Sequence, residues 1–428
     1  MTATEVNQIA QARTPYRRNW SLALLFTVGA LNLFDRQIIN VLAQSIKTDL
    51  RISDAELGML TGTAFGVFYS ILGIPLGRLA DRADRVRMIA AILVIWSGFT
   101  SACGLAGSYL HLFLMRIGVG VGEAGSQPAS TALVADLFPV SRRTSAMSLM
   151  FVGAPVGSFL GLLVGGLVGS RWGWRAAFFV AGIPGLILAA VMLNTMRDPQ
   201  PPIAGLRTYS ALSTRPSLGA TVMMLARRPG YLWLVLGNVC SAFLVYASGA
   251  WLPAFFIRVH GMSTSQIGVF AAITVGLGGA IGTFGAGMIC DLLRPRVREI
   301  ESNALMTMLG LSVPTLLLTV LSPDRSVALA SMFLFNVCAY AFLGPFVTLT
   351  QRAATPDTRA LGIAFTVSVG NILSLAVGLP LIGAISDKLT PSYGQEAIRY
   401  ALALCALAGL IGALAHWRAR TALRMAHT

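Results

Sequence analysis

The sequence predicts an all-α polytopic membrane protein with twelve transmembrane helices in two pseudo-symmetric six-helix bundles and both termini cytoplasmic. Three observations carry this. First, 55% of the 428 residues are hydrophobic and 11% charged, with a mean hydropathy of +0.71, more apolar side chain than a soluble core of this size accommodates. Second, apolar runs of about 20 residues, the length that spans a bilayer as a helix, recur at 20–43, 57–77, 88–107, 109–135, 145–169, 175–196, 231–257, 265–289, 302–321, 326–350, 360–385 and 397–417. Third, Gly77 and Asp81 in GRLADRADRVR reappear as Gly287 and Asp291 in GMICDLLRPRVR at an offset of 210, and Pro139 and Arg142 reappear as Pro356 and Arg359 at 217. Two related halves are the economical explanation.

Orientation follows from the basic residues. With the N-terminus cytoplasmic, the inner segments hold 22 Lys and Arg and the outer loops 8, and Arg36 and Arg116 complete the 32. Short loops with this bias stay inside. The boundaries expected are a cytoplasmic N-tail 1–19, a first bundle 20–196, a cytoplasmic linker 197–229, a second bundle 230–417 and a cytoplasmic C-tail 418–428. The first apolar run is too long for a signal peptide and no small-residue cleavage site follows it, so it is expected in the mature protein. The +15 charge is spread over short loops instead of gathered in a patch with aromatics, so no nucleic-acid partner is expected.

The first span places Asn32, Asp35, Arg36, Ile39 and Asn40 on one stripe. The fourth span, LFLMRIGVGVGEAGSQP, holds Arg116 and Glu123 two turns apart, and the same face continues through Gly120, Gln127 and Ser130 or Thr131. At ~1.5 Å per residue, Asp35 lies ~22 Å above the inner end, Glu123 ~18 Å and Arg116 ~28 Å, so a three-way contact is within reach. A lone charge at mid-bilayer costs roughly 2.5–3.5 kcal/mol, so these four charges are expected to partner one another. A carboxylate that exchanges its Arg partner between two conformations changes its proton affinity with state, which gives Asp35 and Glu123 a proton-coupling role. Arg36 and Arg116 become their partners and the site of a substrate anion. The alternative is a permanent structural lock.

The second span repeats Gly58, Gly62 and Gly66, and the fifth Gly153, Gly157, Gly161 and Gly165, with Pro155 loosening it locally. Sequence alone does not separate static packing from sliding seams. Gly77, Asp81, Arg82 and Arg85, with Asp291 in the second copy, are expected to form a cytoplasmic gate.

The second half is expected to hold no membrane-embedded charge. Its polar candidates include Asn238, Ser241, Tyr246, Ser248, Asn336, Tyr340, Ser368 and Asn371. Asn32, Gln127, Asn238, Tyr246, Asn336, Tyr340 and Asn371 are expected to line a cavity with one charged wall and one largely apolar wall, suited to an amphiphile with an anionic head. Each alone is also an ordinary helix-packing hydrogen bond. His111, His260, His416 and His427 fall at span ends or tails, which argues against a histidine relay. Cys103, Cys240, Cys290, Cys338 and Cys405 stand singly, with no CxxC and no nearby His, so neither metal nor disulfide is expected.

The Gly-x-x-x-Asp-Arg loop after the second span and its degenerate copy after the eighth, Arg116 followed by Gly120, and the run GAPVG resemble the major facilitator superfamily over essentially the whole chain. Within it, NLFDR, RIGVGVGEAG and ADLFPVSRRTSAMSL resemble the Spinster-like transporters, whose better-known members move sphingosine-1-phosphate and lysophospholipids. The chain departs from the superfamily loop pattern at Asp84 and Val86, and no Arg follows Asp291. The resemblance implies a proton-coupled secondary transporter working by alternating access on a lipid-like small molecule, in the cell's inner (plasma) membrane, with membrane lipids around it and as a monomer. It also supports the role of Asp35 and Glu123 in coupling. No cofactor beyond the proton gradient is expected. The anion:cation symporters of small organic acids share an Asp-Arg and an Arg…Glu-Ala in the corresponding spans and stand as the alternative. No nucleophile–base pair, phosphate loop or metal spacing appears, so an enzyme is not expected; a receptor is formally open.

Overall fold

The computed structural model describes residues 15–80, 83–199, 223–353 and 359–425, and in them the chain is helical without a strand. α1 (Pro15–Leu50) opens on proline, which suits a first helical turn, and stops at Arg51 with a φ of 55°. α2 starts at a capping box in which Ser53 and Glu56 satisfy each other's backbone N–H. It runs through Asp54–Gly58, a π turn at Met59–Thr63 and Ala64–Ala80. α3 (Arg85–Cys103) is capped by Asp84. α4 comes in two pieces, Tyr109–Glu123 and Ser126–Leu137, parted at Ala124 and Gly125.

The next helical stretch, Val140–Thr195, is ~84 Å of helix at 1.5 Å per residue, far more than one bilayer holds. Gly173, at φ 82° and ψ 164°, turns the chain back and separates α5 (140–172) from α6 (174–195). In the second half, α7 is Tyr231–His260 and α8 runs through Thr264–Ile273, a π turn at Thr274–Gly278 and Gly279–Leu293. α9 is Ile300–Leu321, and α10 comes as Arg325–Tyr340 and Leu343–Ala353. α11 runs through Arg359–Asn371, a π turn at Ile372–Gly378 and Leu379–Tyr393, and α12 is Ala397–Met425.

The repeat seen in the motifs is also seen in the irregularities. The break in α4 recurs in α10 at Ala341 and Phe342, and the π turn of α2 recurs in α8. Among the described residues nine helices are long and apolar enough to cross a membrane. Two of them, Ser141–Thr195 and Gly362–Ala422, each contain a reversal, at Gly173 and at Gly394. α4, in pieces of 15 and 12 residues, is not among the nine.

Helices run past several of the expected boundaries. α12 continues to Met425, so the expected C-tail is largely helix, and α1 already starts at Pro15, within the expected N-tail. Asp198 of the expected linker packs against the first bundle. The rest of that linker up to residue 222 lies outside the described residues, as do Asp81 and Arg82.

The buried apolar side chains show how the two bundles meet. At the end remote from the termini, Ile46 of α1, Phe255 of α7, Ile267 of α8 and Leu379 of α11 belong to one continuous core. At the termini end there are two cores. One surrounds Leu25, Trp96, Leu133 and Met192; the other surrounds Leu225, Tyr231, Phe346 and Ala419. The bundles are joined at one end and parted at the other.

The glycine seams divide accordingly. Gly153, Gly157 and Gly161 of α5 lie against α1 within the first bundle, where a Cβ at Gly157 would stand 1.9 Å from the Ala30 carbonyl oxygen. Gly58 and Gly62 of α2 instead meet α11 of the other bundle, where a Cβ at Gly62 would stand 2.0 Å from the Leu375 carbonyl oxygen. The first seam is internal packing. The second lies in the joint.

Candidate functional site

Arg36 and Glu123 form the centre. The Arg36 Nε donates to Glu123 Oε1 at 2.6 Å, and a second guanidinium nitrogen pairs with the same oxygen. The guanidinium lies over the rings of Phe65 and Tyr69, 4.5 and 4.3 Å from their centroids, and these rings stack on each other. Such stacking holds an arginine in low dielectric while leaving its edge for an anion. Asn32 lies beside Glu123. Glu123 ends the first piece of α4, and its Oε2 has no partner among the described residues.

Arg116 is 1% exposed and 5.4 Å from the Phe65 centroid. It has no ion pair among the described residues, and its Nε is unpartnered. Asp35 is equally buried but turns to α3, where Thr100 Oγ1 donates to its Oδ2 at 3.2 Å. The expected mutual pairing of all four charges is therefore only partly realised. One residue along a helix rotates a side chain by about 100°, so the neighbours Asp35 and Arg36 serve different faces.

A central cavity of about 100 Å³ opens between the bundles. Arg36, Gln37 and Asn40 of α1, Phe65 of α2 and Arg116 of α4 form one wall, and Ala250, Leu375 and Leu379 dominate the other. Tyr246 is the polar exception on that second wall, its hydroxyl donating to Asn371 Oδ1 at 2.9 Å. Of the seven expected lining residues Tyr246 alone lines this cavity; Asn32 lies beside Glu123, and Asn371 accepts from Tyr246. Asn238 donates across to the Thr366 carbonyl of α11 and Asn336 to the Met332 carbonyl one turn back on α10, so both amides are satisfied inside the second bundle. Tyr340 packs its ring against Gly279, and Gln127 is exposed beyond the break in α4. His416, expected at a span end, is 1% exposed against Gly237, with both ring nitrogens unpartnered.

The expected gate residues separate. Gly77 lies beside Pro128 of its own bundle. Arg85 is buried and pairs with Asp136, while its Nε reaches Asp198 Oδ2 at 3.0 Å, so it ties together the ends of α3, α4 and α6. Its role here is a clamp within the first bundle, not a bridge between bundles. The second bundle has a counterpart of opposite sign. Buried Glu301 receives Arg294 at 2.9 Å and Arg352 at 3.0 Å, and Glu299 pairs with Arg420 at 2.7 Å. Glu301 sits in the first turn of α9, just outside the span expected at 302–321. Asp291 is exposed and pairs with Arg294 at 3.3 Å.

Polar bonds between the bundles lie at the opposite end, and sequence reasoning missed them. Arg258 of α7 donates to both carboxylate oxygens of buried Asp54, at 2.7 Å each, and its Nε donates to Gln44 at 2.6 Å. Lys47 pairs with Asp54 and Ser386 Oγ donates to it at 2.7 Å. The Asp387 carboxylate of α11 accepts from the backbone N–H groups of Asp54 and Ala55 at 2.9 and 2.8 Å, capping a helix of the other bundle.

The family model of the Major Facilitator Superfamily matches residues 25–376. An MFS-type efflux pump of Mycolicibacterium smegmatis is 31% identical over 414 residues, covering 95% of this chain and 94% of that protein. The human protein spinster homolog 1 is 29% identical over 438 aligned residues, 94% of this chain and 80% of that protein. Among solved structures, a bacterial homolog of the human lysosomal transporter Spinster, inward-facing and unoccupied, superposes with a TM-score of 0.85 at 25% identity, covering 96% of this chain and 98% of that one. A D-xylose-proton symporter shares the fold with a TM-score of 0.66 at 20% identity, over 91% of this chain and 96% of that one.

Proposed function

Because this chain belongs to the Major Facilitator Superfamily, we propose that it is a proton-coupled secondary transporter that carries an amphiphilic, lipid-like molecule with an anionic head group by alternating access. It is a multi-pass membrane protein of a transporter family resembling the Spinster-like proteins. We place it in the inner (plasma) membrane with twelve crossings and the termini end in the cytoplasm, so that the parting of the bundles at that end makes the structure inward-open.

The observation that carries the reading is Arg116. It lines the cavity with no direct ion pair among the described residues, Glu123 and Asp35 acting on it only from farther off, opposite a wall of Ala250, Leu375 and Leu379. A bare guanidinium facing an apolar wall fits a molecule charged at one end and greasy at the other. The resemblance to the Spinster-like transporters favours a lysophospholipid or sphingoid-type substrate, and the relative named an efflux pump favours export.

Arg36 held by Glu123 supplies the coupling. When substrate anion draws Arg36 away, Glu123 is left in low dielectric without its cation and takes up a proton. Changing proton affinity by a hundred- to a thousandfold between states couples the gradient to the conformational equilibrium by roughly 3–4 kcal/mol, enough to switch the favoured state.

The small volume of the cavity favours a second reading, symport of a small organic anion. Uptake of lysophosphatidylglycerol and of succinate into proteoliposomes under an imposed pH gradient separates the two. Saturable, gradient-dependent movement of the lysolipid supports the first; movement of succinate alone reverses the order. A chemically altered product would instead make the protein an enzyme.

A further inference from the structure

Asp35 does not line the central cavity, although Arg36 beside it does. Its carboxyl group lies against Thr100 of α3, one helical turn beyond Leu31, which itself faces the seam between α3 and α6 at Gly185. Oδ2 accepts from Thr100, and Oδ1 has no partner among the described residues. Ser97 and Ser101 flank Thr100 on α3, and neither hydroxyl has a partner either. Across the seam α6 presents Gly182 and Gly185, where a Cβ would stand 2.2 Å from Ser101 Oγ and 2.0 Å from Ser97 Oγ, and Leu31 of α1 approaches the same Gly185. The absence of side chains on α6 thus leaves these hydroxyls their space. The charged groups acting on Asp35 are Glu123 and Arg116 of α4, with Trp96 and Thr100 of α3 as polar neighbours and Cys103 of α3 as a nearby titratable group.

Buried polar atoms are rarely left unsatisfied, and a cluster of them marks a place for water or a moving proton. We propose that Asp35 exchanges its proton in this seam and not in the substrate cavity, with Thr100 as the residue that positions its carboxyl group and Ser97 and Ser101 as the hydroxyls that pass the proton on. The inference rests on the reading of Asp35 as a coupling group, and goes beyond it by giving proton and substrate separate routes. The proton moves between water and the carboxyl oxygen, and no other bond changes. Asp35 is then loaded or emptied while the cavity is occupied.

The test needs no substrate. Spin labels at Arg142→Cys and Arg296→Cys, exposed positions at the termini ends of the two bundles, are placed on full-length protein lacking the five native cysteines. In nanodiscs, the fraction closed at that end is followed against pH by electron–electron distance measurement. Removing a donor from a carboxylate favours its protonated form, so Thr100→Val is expected to raise the midpoint by about one pH unit, tenfold in proton affinity. Thr100→Ser is expected to restore it. Ser97→Ala with Ser101→Ala is expected to slow the response to a pH jump about tenfold while keeping the midpoint. Asp35→Asn is expected to flatten the response. A flat Asp35→Asn with an unshifted Thr100→Val, or with unslowed serine variants, overturns this inference alone. A wild-type response in Asp35→Asn overturns the coupling assignment beneath it, and no response in the wild type overturns both.

Discussion

Asp54 of the first bundle receives two hydrogen bonds of 2.7 Å from Arg258 of the second, at the end where the bundles are joined. Both side chains are nearly buried, at 1% and 9% exposure. Charge-assisted bonds of this kind contribute about 1.5–3 kcal/mol each, while Lys47 keeps Asp54 partly neutralised when Arg258 leaves. Arg258→Gln should therefore shift the equilibrium toward opening at this end by about 2 kcal/mol, some thirtyfold in population. Accessibility of a cysteine at Thr61 to a membrane-impermeant maleimide reads the shift. Unchanged accessibility would mean that the apolar joint alone holds the state.

The coupling carboxylates give a second prediction. Asp35→Asn and Glu123→Gln mimic the protonated forms and keep side-chain size, so each should abolish pH-driven transport while leaving the folded yield intact. Transport at the wild-type rate with unchanged pH dependence in both variants would make the charges structural and the proposed mechanism wrong.

Arg85 should matter for stability and little for gating. Arg85→Ala takes from Asp136 and Asp198 the cation they share, and charge-assisted bonds of this kind contribute about 1.5–3 kcal/mol each. Thermal unfolding of the detergent-solubilised protein should show the loss, and the midpoint of the pH response should stay in place in the protein that remains folded. A moved midpoint would restore Arg85 to the gate.

Two glycines separate packing from motion. Gly157→Ala puts a methyl group into the Ala30 backbone inside one bundle and should lower thermal stability in every state. Gly62→Ala meets the Leu375 backbone across the joint, so the protein can escape the clash by opening. Its stability should change little and its population should move toward opening. Equal destabilisation by both would show that the α2–α11 seam does not part.

Cysteines at Ala10 and at Ser263 should label from opposite faces of the membrane. Same-side labelling would overturn the topology drawn from the basic residues.

Much of this architecture was legible because bilayers impose simple lengths and a simple charge rule. The stripe of Asp35 and Arg36, and the Arg116 to Glu123 spacing, followed from helical periodicity. The break at Ala124 and Gly125 did not, and it is what carries Gln127 off the stripe. Nor did the pairing of Arg36, instead of Arg116, with Glu123, because rotation about a helix axis is set by packing partners. The Asp54 cluster escaped for a related reason. It joins residues 333 positions apart, and each alone reads as an ordinary loop charge.

The two clamps of opposite sign have a consequence for how the protein could be made. The first ties α3, α4 and α6 through Arg85, and the second ties α8, α9, α10 and α12 through Glu301 and Glu299. Each bundle thus carries the electrostatic closure of its own helices. What passes between the bundles is a shared apolar core, a glycine seam and a latch, all of which two separate polypeptides present as well as one. A gene split within the codons for residues 200–222 should yield two fragments that insert independently, assemble in the membrane and transport.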